Sequence, residues 1–104
     1  MMDIEKDLHY LAETDEKYAT LDAELTQLED EIKWKKGNVV SSSNSSVSKA
    51  VEEFYASSEY KVFCITKMNK ALARNTLRNK RATAILRIDV WRTLEASRRK
   101  GNIQ

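Results

Sequence analysis

Ile4, Leu8, Leu11, Tyr18, Leu21, Leu25, Leu28 and Ile32 recur three or four residues apart, with one polar interruption at Thr14–Asp15. That spacing lines them up along one side of an α-helix and predicts a first helix over about 3–36, packed by that side against another helix. Acidic residues crowd its first turns, where the helix dipole favours them. Lys35 and Lys36 followed by Gly37 predict its end, with the glycine as left-handed cap. Residues 37–47 read as a loop, because Ser41 to Ser46 are broken only by Asn44 and such side chains compete for the backbone. Ser46 or Ser48 is a good N-cap for a second helix. From 48 to about 100 nothing interrupts that helix. Val47, Val51, Phe54, Ser58, Ile65, Met68, Leu72, Thr76, Thr83, Leu86, Val90 and Leu94 share one broad face when residues are set 100° apart. Gly101, after Arg98, Arg99 and Lys100, is the predicted stop.

The fold class expected is all-α: a long antiparallel, coiled-coil-like helical hairpin forming a single domain over 1–104. At about 1.5 Å per residue the first helix spans about 48 Å and the second about 80 Å. Residues 4–35 should therefore pair with about 48–80 and leave 81–100 uncovered. That stretch carries Ile85, Leu86, Ile88, Val90, Trp91 and Leu94 on nearly all sides, and such a helix needs burial on several sides. Either the chain bends near Asn75–Lys80 and returns as a third, C-terminal helix, or two copies cover each other. A homodimer held by Ile85, Ile88, Trp91 and Leu94 is the favoured expectation. Trp34 is expected to cover the end of the hairpin core, and Asn75 and Asn79 to fix register from seam positions.

Charge changes this picture. Of the 104 residues 33% are charged, yet the net charge is only +2. Residues 1–33 carry a balance of −8 and residues 34–104 a balance of +10, so the two halves should attract when side by side. On the second helix Lys67, Lys70, Arg74, Arg78, Arg81, Arg92 and Arg99 form a basic stripe, placed nearly opposite the apolar face. A stripe of this length suits either a phosphate backbone or an acidic protein; it also suits a solvated face that complements the first helix. The dense acids of the first helix, Glu24, Glu29 and Glu31 among them, could instead imitate duplex phosphate.

Other chemistry is poorly served. One cysteine, Cys64, and one histidine, His9, give no metal-ligand cluster and no intramolecular disulfide, so a reducing cytoplasm is the expected home. His9 reads as a surface or packing residue and Cys64 as a small hydrophobe. No glycine-rich phosphate loop occurs, and no apolar run approaches the roughly 18 residues of a membrane span. Neither an enzyme nor a cofactor or small-molecule substrate is expected. Trp34-Lys35-Lys36-Gly37 has one residue too many for the secreted Trp-x-Gly hairpin family, and Tyr55…Glu59 falls inside the second helix.

The closing segment from Val90 to Ile103 (Val-Trp-Arg-Thr-Leu-Glu-Ala-Ser-Arg-Arg-Lys-Gly-Asn-Ile) and the early segment from Leu8 to Asp15 resemble small bacteriophage and prophage proteins of Gram-negative bacteria. Members of that group are about this size and are often encoded near recombination genes. The resemblance implies a bacterial cytoplasm and an accessory role around DNA, with no residue roles to carry over. Three functions follow as expectations. The leading one is a non-enzymatic accessory protein of phage DNA metabolism, whose basic stripe contacts DNA or an acidic protein. The others are an inhibitor of a host DNA-processing or defence enzyme and a structural coiled-coil adaptor.

Overall fold

The computed structural model describes residues 3–103, with side chains described through Gly101. Three helices follow one another: α1 (Ile4–Ser42), α2 (Val47–Tyr55) and α3 (Ser58–Ile103). No strand occurs among the described residues, so the all-α hairpin expected from the sequence is the observed architecture. Two compact units divide the chain. The first combines the residues up to Ala19 with those from Asn75 onward, and the second is Thr20–Arg74.

Local chemistry explains where the helices stop. Gly37 does not end α1, because it takes no left-handed conformation and the helix continues to Ser42. The serines that predict a loop are compatible with helix when their hydroxyls turn back on it. Ser42 Oγ donates to the Asn38 carbonyl at 2.7 Å, and Ser41 Oγ donates to the same oxygen at 3.2 Å. Only residues 43–46 remain outside helices in this region. Ser46 caps α2, its hydroxyl accepting the Lys49 N–H at 3.3 Å. The long second helix expected from 48 onward is broken at Ala56–Ser57. There Ser57 Oγ donates to the Phe54 carbonyl at 2.6 Å and accepts the Tyr60 N–H at 3.2 Å, ending one helix and capping the next. The third helix is therefore α2, in mid-chain. Residues 81–100 continue within α3, which also runs past Gly101 without a glycine cap.

Within the second unit α1 and α3 run antiparallel. Asp22 faces Arg74, Glu24 faces Lys70, Glu29 faces Lys67 and Lys35 faces Glu59. The inward side of α1 here is Leu21, Leu25, Leu28, Ile32 and Lys35; that of α3 is Tyr60, Phe63, Lys67, Lys70 and Arg74. Spacings alternating between three and four residues are those of a coiled-coil seam. α2 closes this unit by burying Ala50 and Phe54. Phe54, Tyr55, Tyr60 and Phe63 form a chain of ring contacts with centroids 4.9–5.9 Å apart. Trp34 lies outside this closure at 67% exposure, so the aromatic cover comes from α2 and not from the expected tryptophan.

The first unit repeats the antiparallel pairing. Asp7 faces Arg87 and Asp15 faces Arg81. Ile4, Asp7, Leu11, Thr14 and Tyr18 turn inward from α1; Leu77, Arg81, Ala84 and Ile88 turn inward from α3. The expected overhang over 81–100 is thus corrected: its first two turns lie against the start of α1. The register is displaced because α1 outlasts Gly37 and because α2 takes up residues that were expected to pair with α1. Ile88, expected in a dimer interface, is buried within the chain at 8% exposure. Asp7, Thr14 and Arg81 are polar side chains at inward positions of this unit. Asn79 is exposed, and so does not occupy the seam position expected of it.

Candidate interaction surface

The seven positions of the basic stripe meet different fates. Lys67, Lys70, Arg74 and Arg81 are half-buried on the side of α3 that faces α1, a position that long aliphatic stems tolerate, and their heads reach its flanking acids. Arg74 Nη1 lies 3.1 Å from Asp22 Oδ1, Lys67 Nζ lies 3.2 Å from Glu29 Oε1, and Lys70 pairs with Glu24. Arg81 is the most committed. It donates to the Leu11 carbonyl at 2.7 Å, to Thr14 Oγ1 at 2.8 Å and to Asp15 Oδ1 at 3.2 Å, and its guanidinium stands 5.6 Å from the Tyr18 ring centroid. Arg78 and Arg99 are exposed, and Arg92 makes a 3.9 Å contact with Asp89 one turn back on its own helix. The same pairs engage Glu24 and Glu29, two of the acids that a phosphate mimic would display.

The consequence appears on the other side of α3. The apolar face that the sequence assigns to the hairpin core points away from α1. In the second unit Val62, Ile65, Met68 and Leu72 are exposed, Met68 at 63% and Leu72 at 67%. In the first unit Ile85, Leu86, Val90, Trp91 and Leu94 are exposed, Leu86 at 63%. Three of the four expected interface residues, Ile85, Trp91 and Leu94, therefore stay accessible while Ile88 does not. Each unit carries its own apolar row at three-or-four spacing along α3: Val62, Ile65, Met68 and Leu72 in the second unit, and Leu86, Val90 and Leu94, flanked by Ile85 and Trp91, in the first. The sequence places Ile65, Met68 and Leu72 against α1, which the structure corrects; Ile85, Leu86, Val90, Trp91 and Leu94 were expected to lie beyond the pairing with α1, and Val62 was not singled out.

The titratable groups offer little machinery. His9 Nε2 lies 2.8 Å from Glu13 Oε1 on an exposed face of α1. Hydrogen bonding to Glu59, 3.0 Å away, and the charge of that carboxylate raise the pKa of Lys35. A hydrogen bond to the Cys64 thiol, with the charge that thiol can carry, raises the pKa of the Tyr60 phenol. No group of three or more His, Cys, Asp or Glu side chains among the described residues could hold a metal ion. No described helix is long and apolar enough to cross a membrane.

Comparison with protein-family models, curated proteins and solved structures finds no match to this chain.

Proposed function

We propose that this chain is a non-enzymatic assembly module: a hairpin that spends its charges on internal pairing and offers the outward face of α3 to a second copy of itself. The observation that carries this reading is the inverted α3, whose basic side is turned inward and whose apolar side is left outside. Fully burying a side chain of this size contributes about 1.5–3 kcal/mol, so Val62, Met68, Leu72 and Leu86, the more than half-exposed members of this face, each have about 1 kcal/mol still to gain. A row at three-and-four spacing fits another helix with the same spacing, and an identical copy supplies one by two-fold symmetry. Sedimentation equilibrium over roughly 1–200 µM should show a dimer or larger assembly. Met68→Glu with Leu72→Glu in one variant, and Leu86→Glu with Val90→Glu in another, should each shift it toward monomer with helicity retained. A wild-type chain that stays monomeric across the range would overturn the proposal.

A second reading keeps the phage DNA-metabolism role suggested by the resemblance of the two segments. It is favoured by the last turns of α3, where Arg92, Arg98, Arg99 and Lys100 are all exposed. Arg98 pairs with Glu95, one turn back at 2.9 Å. Under this reading phosphate contact falls to Arg78, Arg92 and Arg99 with Arg98 and Lys100, and not to the four inward bases. DNA retention should weaken steeply with salt and be lost when Arg98, Arg99 and Lys100 are changed to alanine.

A further inference from the structure

We infer that the corner of the second unit where α1, α2 and α3 meet is a binding site for an unpaired nucleobase and its phosphate, that is, for single-stranded nucleic acid. A cavity of about 320 Å³ lies there, walled by Tyr55, Tyr60 and Phe63 and bordered by Lys33, Lys36 and Lys67. Its volume is at the lower end for sites that take small organic groups.

The charges around it are not balanced. Lys67 is engaged by Glu29, also on the wall, and its ammonium stands 6.0 Å from the Phe63 ring centroid. Lys36 has a neutral partner: its Nζ donates to the Tyr55 hydroxyl at 2.9 Å and lies 4.9 Å from the Tyr55 ring centroid. Among the described residues, no carboxylate lies within ion-pair distance of Lys33 or Lys36. Two ammonium groups at the mouth of an aromatic pocket select a ligand that is flat, π-rich and anionic. A nucleotide is all three, since any base can stack on a ring and every linkage carries a phosphate. Tyr55 is the ring best placed to receive it, being exposed while edge-to-face contacts with buried Phe54 at 5.6 Å and with Tyr60 at 4.9 Å hold it in place.

This site is independent of the outward apolar row and of the terminal cations of α3. The test is fluorescence anisotropy of a labelled eight-nucleotide oligothymidylate, and of a labelled duplex of mixed sequence, with the full chain in 50 mM salt. Stacking of one base changes affinity by about 1–3 kcal/mol, roughly 5- to 150-fold. Tyr55→Leu keeps apolar bulk and should weaken single-strand binding by at least about 5-fold, while duplex binding is unaffected. Trp34→Leu, which removes an exposed aromatic not on the pocket wall, should have no effect. Lys33→Ala with Lys36→Ala should lower the salt slope by about 0.7 for each phosphate that is no longer neutralised. Changing Arg98, Arg99 and Lys100 to alanine should leave the Tyr55 dependence in place, which separates this site from the terminal cations. Equal effects of Tyr55→Leu and Trp34→Leu would overturn the inference, as would absence of single-strand binding. So would Tyr55-dependent capture of a tyrosine-bearing acidic peptide in place of the oligonucleotide.

Discussion

Replacing Asp7 by leucine should make this protein more stable. Asp7 occupies an inward position of α1 where the surrounding spacing calls for an apolar side chain, and it is buried at 6% exposure. One carboxylate oxygen, Oδ1, lies 3.0 Å from Arg87 Nη1; the other, Oδ2, is buried without a hydrogen-bond partner. Leaving such an oxygen unsatisfied costs about 1–3 kcal/mol. Arg87 is about half exposed, so the pair returns no more than about 1 kcal/mol, and the carboxylate near the start of α1 returns roughly another 0.5 through the helix dipole. A leucine gives up both contributions, removes the orphaned oxygen and adds about 1.5–3 kcal/mol of apolar burial. The net expectation is a gain of about 2 kcal/mol in a urea melt followed by circular dichroism, and a thermal midpoint higher by roughly 10 °C. The companion variant Arg87→Ala tests the same logic from the other side. It leaves a buried carboxylate with no cation and should cost about 3 kcal/mol. Asp7→Leu that destabilises by more than about 1 kcal/mol would refute the reasoning, by showing that the carboxylate is net favourable where it stands.

Two further outcomes rest on the same geometry. Arg81→Ala removes three hydrogen bonds and a ring contact from a mostly buried guanidinium and should cost about 2–4 kcal/mol in the same melt, whereas Arg78→Ala, on the exposed side of α3, should stay within about 0.5 kcal/mol. For pH, Lys35 and Tyr60 both have folded-state pKa values raised above their ordinary 10.5 and 10.0. Their contributions are complete below those values and are lost as pH climbs through the raised ones. Stability should hold to about pH 10 and fall above it, and Lys35→Met should flatten that fall. In an ultraviolet titration of the tyrosines, the Tyr60→Phe variant should lack a late-ionising phenol.

Much of the fold was legible because α1 states its period openly. Leu21, Leu25, Leu28 and Ile32 repeat at seam spacing, and the opposed charges of the two halves favour packing side by side. The inward side of α3 was harder to read, for two physical reasons. Its seam positions hold Lys67, Lys70, Arg74 and Arg81, which resemble a solvated face unless their stems are counted as the packing surface. A wheel fixed at 100° also drifts about 20° per heptad from a strict seven-residue repeat, so over four heptads it loses the seam altogether. Asp7 and Thr14 take inward positions for the same reason, while Leu8 is left exposed. The break at Ser57 lay hidden in an apolar-periodic stretch; the signal was present in Ala56-Ser57-Ser58, where a hydroxyl can cap the next helix. The aromatic corner was illegible at the sequence level, because Lys36 and Tyr55 meet only once α2 has turned back on α1.

The inverted α3 also bears on how stability should depend on concentration. Exposed ion pairs contribute about 0–1 kcal/mol each, and the buried apolar side chains among the described residues are few: Leu25, Phe54, Leu77 and Ile88, with Ala50 and Ala84. A hairpin held this way alone is marginal, while its largest untapped apolar surface lies on the outward face of α3. If a second copy covers that face, association stabilises only the folded chain, and mass action links the two equilibria. The thermal midpoint should then rise with protein concentration. Over a hundredfold range above the dissociation constant, mass action on a dimer adds about 1.4 kcal/mol per chain, and the midpoint should climb by several degrees. Met68→Glu with Leu72→Glu should abolish the concentration dependence while leaving the midpoint near that of the dilute wild type. Arg81→Ala should lower the midpoint at every concentration and keep the slope. A midpoint independent of concentration in the wild type would mean that the hairpin is stable on its own charges and that its outward face serves some partner other than itself.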